Sequence, residues 1–380
     1  MSEGAQPEDL MARALARHRA GELAEAEALY RAMLAADPDR LAPLVNLASI
    51  LRGGGRVDEA EGLLRRAIAL APGTPGLNRN LGNLLFVSGR PEAALEAHRA
   101  ELATRPDDEE SRLGVARSLL VLGQFEEGWR ALDSRPERAK AVARGLTGPE
   151  WRGEDLTGKR LFIWPEQGFG DQIIMMRYLR LLGGDVTMVV MPQLMRLFSS
   201  LPAKLIAHDH QVAAPAYDYW TLPLSLPLCL RTGGDLVTAP YLGAAARATG
   251  KRVGIAWRGN ALPDPNRSLP WPVAEALLAL PGAMSLDPAD TGVADFQDTA
   301  EIIAGLDLVI SIDTSVAHLA GAMGKPVWVL HQQRPPEWRW RADAEGTSVW
   351  YPTARVLTQT VQGDWSGLVE QVKADWPVRG

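Results

Sequence analysis

The stretch DLVISIDTSVAHLAGAMGKPVWVLH, Asp307 to His331, decides how the second part of this chain folds. An apolar run ends at Asp313-Thr314-Ser315, a helical run follows from about Val316 to Met323, Gly324 closes it, and a second β-rich run begins at Pro326. Strand, helix and strand in that order predict a parallel sheet with crossover helices. Ligands of such sheets sit beyond the carboxyl ends of the strands. The hydroxyls of Thr314 and Ser315, with the unbonded N–H groups of the helix start, suit a phosphate. An ordinary N-cap uses the same atoms, so both readings stand. His318, on the first turn, either reaches the ligand or packs beneath it.

The alternation extends outward from this unit. A first half carries expected strands at Arg160–Trp164, Asp185–Met191 and Lys204–Ala207, with a further one near Tyr219–Leu222. A second half carries Arg252–Trp257, Met284–Leu286, Asp307–Ile312 and Pro326–Leu330, and the region from Leu269 to Asp298 reads as little more than one strand. TAPYLGAAARATGK (238–251) reads as a crossover between the halves, and the last helical stretch, Ser366–Trp376, as folding back over the first half. The loops after Trp164, Trp257 and Ile312 then face a common cleft.

In the first of these loops, WPEQGFGDQI, Gly168 and Gly170 are followed by Ile173 where a dinucleotide fingerprint needs its third glycine. A nicotinamide or flavin enzyme is rejected on that ground. Asp171, at the mouth of the following helix, is either its cap or a carboxylate facing the cleft. The second loop, WRGNALPDPNRSLP, holds Arg258, Asn260 and Arg267, and the fork of an arginine pairs two phosphate oxygens. His331 follows the last strand. Trp338 and Trp340, in RPPEWRWRAD, read as packing rather than as a stacking platform.

The first third is a repeat array of period 34. Gly21, Gly55, Gly89 and Gly123 fall in register between helical stretches. So do the small residues Ala14, Ala48, Gly82 and Ala116 and, on the second helix of each unit, Ala26, Ala60, Ala94 and Gly128. Pro38, Pro72 and Pro106 end the first three units. Helices cross closely only where side chains are small, the turn glycine tolerates positive φ, and proline stops the second helix. His18 and His98 have no second ligand at metal spacing and read as solvated or packed.

Composition narrows the function classes. In 380 residues, 46% apolar and 23% charged, the net charge of −6 leaves no basic surplus for nucleic-acid binding. Neither a secretory signal nor a membrane-length apolar run is seen, which predicts a cytoplasmic protein without a membrane span. The lone cysteine, Cys229, cannot form an intrachain disulfide and reads as a buried, inert thiol. All twelve tryptophans lie at or after Trp129, so the chain changes character near that point.

The 34-residue units resemble the tetratricopeptide repeat. EQGFGDQI, VGIAWRGN and DTAEIIAGLDLVISIDTSVAHLAGAMGKPVWVL together resemble the bacterial tetratricopeptide-repeat glycosyltransferases, similar to ADP-heptose:lipopolysaccharide heptosyltransferases and more distantly to O-GlcNAc transferase. The resemblance implies an α-helical repeat superhelix followed by an α/β GT-B domain of two Rossmann-like halves. It further implies a nucleotide-sugar donor held mainly by the second half, and inversion at the anomeric carbon without a metal or other cofactor. The expected division is a repeat array over 1–142, a linker over 143–158, an acceptor-side half over 159–248 and a donor-side half over 249–380. Asp171 corresponds to the proposed base of the heptosyltransferases. The remaining candidate substrate-binding residues are Gln167, Gly168, Gly170, Arg258, Asn260, Arg267, Asp313, Thr314, Ser315, His318 and His331. A protein or peptide segment in the repeat groove is the expected acceptor. A lipid or polysaccharide precursor, or an inactive scaffold, are the competing readings.

Overall fold

The computed structural model describes residues 7–209, 212–232, 240–259, 267–333 and 335–376, and Asn260 lies outside them. The chain divides into two compact units, the second beginning at Gly123.

The first unit is a run of helices: α1 (Pro7–Arg19), α2 (Leu23–Ala36), α3 (Leu41–Gly53), α4 (Val57–Leu70), α5 (Leu77–Val87), α6 (Pro91–Thr104) and α7 (Glu109–Val121). Each packs on the next. The glycines of the 34-residue register share one backbone state, φ +78, +74, +80 and +77 at Gly21, Gly55, Gly89 and Gly123. That left-handed conformation turns the chain between the helices of a pair and costs an L side chain about 1–2 kcal/mol. Ala14, Ala26, Ala60 and Ala94 have no exposed surface, and they share one core with Tyr30, Leu51 and Leu84. The second helices stop at Ala36, Leu70 and Thr104, two residues ahead of Pro38, Pro72 and Pro106.

His98 is packed rather than solvated. Its ring is fully buried between Gly82 and Gly114: a Cβ on Gly82 would lie 2.7 Å from Nε2, and one on Gly114 would meet the ring more closely still. Neither ring nitrogen has a hydrogen-bond partner among the described residues. Burial, with the nearby Arg117 guanidinium second, pushes its pKa down to about 4.

In the second unit come α8 (Phe125–Leu132), α9 (Pro136–Ala143), and two parallel sheets. The first sheet has the order β3 (Lys204–Ala207), β2 (Asp185–Val190), β1 (Arg160–Ile163), β4 (Tyr219–Thr221). The second has the order β6 (Ala283–Ser285), β5 (Val253–Ala256), β7 (Leu308–Ile312), β8 (Val327–His331), β9 (Ala354–Thr358). The helices of this part are α10 (Phe169–Met175), α11 (Met195–Phe198), α12 (Leu226–Cys229), α13 (Trp271–Leu278), α14 (Pro288–Thr291), α15 (Phe296–Ala304), α16 (Ser315–Ala322) and α17 (Ser366–Ala374). This is an α-helical repeat array followed by an α/β domain of the GT-B kind. Strand order reverses between β1 and β4 in one sheet and between β5 and β7 in the other, so each sheet opens a crevice at its carboxyl edge there.

The structure corrects two expectations and adds two features that the sequence reading did not specify. The stretch 240–249 is neither helix nor strand. It is an extended strap whose Tyr241 and Leu242 N–H groups donate to the Ala322 carbonyl, while the Tyr241 hydroxyl donates to the Ile173 carbonyl at 3.1 Å. The crossover between the halves is thus held by tertiary hydrogen bonds rather than by helical ones. The region 269–298 holds α13 and α14 besides β6. Helix α17 does not cover the first half: Leu368, Val369 and Val372 lie in one core with Val253, Ala274 and Leu277 of the second. Strand β9 was not anticipated, because a half-exposed edge strand of five residues carrying Arg355 leaves no clean alternation. Among the described residues, no helix is long and apolar enough to cross a membrane.

Two outcomes follow for the repeat unit. Ala60→Leu and Gly114→Ala both overpack closed helix crossings, and each should lower stability by about 1–3 kcal/mol in denaturant titration. His98 stays neutral when folded but takes a proton near pH 6.5 when unfolded. Its contribution is therefore intact above pH 6.5, and roughly 3 kcal/mol is lost as pH falls toward 4. Calorimetric unfolding should show that acid loss in the wild type and not in His98→Leu; equal pH slopes would contradict it.

Candidate functional site

Strand β1 delivers the chain into the loop 164–168 at the crevice beside β4. That loop is anchored by a buried ion pair. Arg135, the N-cap of α9, donates from Nε to Glu166 Oε2 at 2.6 Å and from Nη2 to Oε1 at 2.8 Å, and the Leu224 N–H adds a third bond to Oε1 at 2.6 Å. Burial pushes the Glu166 pKa up, against the pull of Arg135. A buried carboxylate without these donors would cost several kcal/mol, so the anchor is satisfied as a set. Gln167, next in sequence, is exposed and left-handed, with φ 59. Strain of that kind in a side chain larger than glycine is concentrated at functional loops.

The two loop glycines serve different needs. A Cβ on Gly170 would lie 2.7 Å from the His318 ring, so α10 and α16 can touch only with glycine there. A Cβ on Gly168 would meet nothing, and its backbone suits any residue, so packing alone does not demand glycine at 168. Gly168 is also the N-cap of α10, and no side chain caps that helix. Asp171 is therefore not its cap. Its carboxylate pairs instead with Arg339, whose Nε donates to Oδ1 at 2.7 Å and whose Nη2 donates to the same oxygen.

His318 packs beneath the site. It is buried, stacks on Trp340 with ring centroids 4.4 Å apart, and shares a 3.0 Å hydrogen bond between Nδ1 and the Tyr351 hydroxyl. Burial pushes its pKa down to about 3, so it is neutral. Trp340 donates from Nε1 to Asp313 Oδ1 at 2.6 Å. Trp338 packs edge-on against Trp129 and Trp350 at 5.1 and 5.5 Å. Both tryptophans are thus packing residues.

At the β5–β7 crevice, Gly259 is wedged between two candidates: a Cβ there would lie 3.2 Å from both Arg267 Nε and Thr314 Cγ2. Thr314 is the N-cap residue of α16, yet its side chain makes no capping bond and its hydroxyl lies 3.0 Å from Ser311 Oγ. Ser315 opens the helix beside it. Arg267, Thr314 and the start of α16 therefore converge. Arg258 points elsewhere. Its guanidinium grips Asp287, Nε to Oδ2 at 2.7 Å and Nη2 to Oδ1 at 2.9 Å, while Asp287 also caps α14. His331 ends β8 with its carbonyl bonded to the Gln359 N–H, half-buried at the same sheet edge.

Sequence reasoning missed Arg339, Glu166 with Arg135, and Asp287. Arg339 meets an aspartate 168 positions away, and no local pattern marks such a pair. A cavity of about 430 Å³ lies apart from these residues, lined by Trp129, Arg152, Cys229 and Arg231 among others, and none of the candidates borders it. Burial pushes the Cys229 thiol up to about 12, so it is inert there.

The comparisons with known proteins divide along the same line. Residues 17–84 match the tetratricopeptide repeat, and residues 291–349 match glycosyltransferase family 9 (heptosyltransferase). The second match contains Asp313, Thr314, Ser315, His318, His331 and Arg339 and does not reach Asp171 or Arg267. Protein FlbA of Caulobacter vibrioides is 28% identical over 320 residues, covering 68% of this chain and 53% of its own length. The chain thus spans about half the length of this curated relative. Among solved structures, MamA is similar at 18% identity over 36% of this chain and 75% of its own, with a TM-score of 0.33. YrrB, described as a TPR protein with an unusual peptide-binding site, is similar at 19% identity over 37% of this chain and 72% of its own, also with a TM-score of 0.33.

Gln167→Gly removes the strained backbone and should raise stability by up to about 1 kcal/mol in thermal or urea unfolding. Arg258→Ala strips a half-exposed partner from Asp287 and should lower stability by about 1 kcal/mol. An Arg258→Ala chain as stable as the wild type would mean that the pair is idle.

Proposed function

We propose that this chain, in which tetratricopeptide repeats precede a segment of glycosyltransferase family 9, transfers a sugar from a nucleotide-sugar to an acceptor hydroxyl with inversion at the anomeric carbon. The observation that carries the reading is the joint placement of two kinds of group on the α10 and α16 faces of one domain. On one side is a carboxylate at the mouth of a two-glycine loop, Asp171. On the other is an anion-suited crevice of Arg267, Thr314 and the α16 start, linked to Asp171 through Asp313, Trp340 and Arg339.

The chemistry assigns itself to these groups. The acceptor oxygen forms its bond to the anomeric carbon as the bond to the diphosphate oxygen breaks, through an oxocarbenium-like state. The acceptor proton goes to Asp171, and the electron pair of the broken bond stays on the nucleoside diphosphate. Arg267 and the N–H dipoles of the α16 start face the charge that grows on the diphosphate. Asp313, held by Trp340, and His331 line the same edge on the donor side. Gln167 and Gly168 offer a backbone-lined approach for the acceptor. His318, buried and neutral, supports this floor from below. No metal is assigned a role, and no cofactor beyond the donor.

For the acceptor, the repeats favour a protein segment, because stacked helix pairs of this kind form extended peptide-binding surfaces. The cytoplasm is the proposed place of action. Transfer to a lipid or polysaccharide precursor is the second reading, favoured by the heptosyltransferase description of the matched family.

A panel of UDP-, GDP-, ADP- and CMP-sugars, followed by hydrolysis and calorimetry, tests the reading: one donor should bind and turn over, unaffected by EDTA, and NMR of the product should show inversion. With that donor, Arg267→Ala and Thr314→Val should weaken binding by about 10-fold or more while Arg258→Ala does not. Asp171→Asn should cut turnover by roughly 10²–10⁴-fold with donor binding preserved. A fully active Asp171→Asn enzyme would exclude Asp171 as the base.

A further inference from the structure

If Asp171 is the base, as proposed above, something must aim it. Helix α10 does not: its cap is Gly168, and the Asp171 carboxylate makes no bond to the helix start. Arg339 holds the group in an unsymmetrical way. Its Nε and Nη2 both donate to Oδ1, and no described residue donates to Oδ2. Rotation about the Asp171 Cβ–Cγ bond would break both bonds at once, so one oxygen is fixed and the other is presented.

Arg339 is itself held on every side. Its guanidinium lies 4.4 Å from the Trp338 ring centroid, and Nη1 donates to Glu337 Oε1 at 2.7 Å. Trp338 and Trp340, its two neighbours, are 5% and 3% exposed and locked into the aromatic packing around Trp129, Trp350 and His318. The Arg339 rotamer is thus set before any substrate arrives. Glu337 has a further effect. When Asp171 accepts a proton its charge is lost, and Glu337 still balances the guanidinium, so the transfer does not strand a half-buried cation. A lysine would supply the charge but not two N–H donors held by one rigid plane and converging on one oxygen.

We propose that Arg339 is a positioning residue for the transfer: it pins Asp171 Oδ1 so that Oδ2 is the oxygen that takes the acceptor proton. Arg339 belongs to the second half and Asp171 to the first, so the base is completed only when the two halves are together.

The test uses the full chain with its identified donor and acceptor, beside Asp171→Asn. Arg339→Ala should lose kcat by about 10–100-fold while the donor Kd and acceptor KM stay within about threefold. Guanidinium chloride at non-denaturing concentration should restore part of that kcat in Arg339→Ala and none in Asp171→Asn. Arg339→Lys should stay well below wild-type kcat with its fold intact, and it decides the matter if Arg339→Ala fails to fold. Wild-type kcat in Arg339→Lys, or a loss in Arg339→Ala confined to KM, would overturn the proposal. An inactive Asp171→Asn beside an active Arg339→Ala would refute this role alone; an active Asp171→Asn would refute the base assignment on which it rests.

Discussion

The alternation Trp338-Arg339-Trp340 is the constraint on which the α/β domain depends. Two buried indoles fix a short stretch of chain, Trp338 against Trp129 and Trp350 and Trp340 on His318, and the arginine between them crosses to the first half to meet Asp171. The indoles contribute apolar burial on the order of a few kcal/mol each, enough to hold a guanidinium in place against its large rotamer entropy. The ion pair then does what an exposed pair cannot. Partly screened from solvent and tied to Glu337 as well, it fixes an orientation rather than adding much net stability.

Close helix contact provides the second constraint, and glycine permits it. Helices α10 and α16 meet because Gly170 leaves room for the His318 ring. That contact sets the first turn of α10, which carries Asp171, against the first turn of α16, and Arg267 converges with Thr314 of the α16 start around Gly259. Below this floor His318 is neutral and stacked, so its chemistry is structural: it fills space, accepts or donates one hydrogen bond to Tyr351, and carries no charge into the site. Behind the loop, the Arg135–Glu166 pair plays a similar part, tying the turn after β1 to the start of α9.

The repeat unit obeys a simpler rule. A left-handed glycine every 34 residues closes each helix pair, and small side chains let the helices cross. His98 departs from the rule. A polar ring without partners sits where Gly82 and Gly114 have cleared space, and it stays because the folded chain keeps it uncharged at neutral pH.

What the sequence determined by itself was everything with a local or periodic cause. The 34-residue register follows from positive-φ glycines and small residues repeating along the chain, and the strands β1 to β8 follow from apolar runs bounded by turn residues. The Thr314-Ser315 helix start follows from a strand running directly into a helix. Tertiary structure decided what depends on partners distant in sequence. Asp171, open in the sequence to a capping role or to one at the cleft, does not cap its helix and pairs with Arg339, 168 residues away. That Arg258 is held by Asp287, rather than aimed at the crevice, is a pairing across 29 residues that the loop sequence does not show. The strap at 240–249 and the place of α17 were set by hydrogen bonds and core contacts that composition does not encode. Periodicity reports which face of an element is buried; it carries no information about which polar group lies opposite, and that pairing is what makes a site.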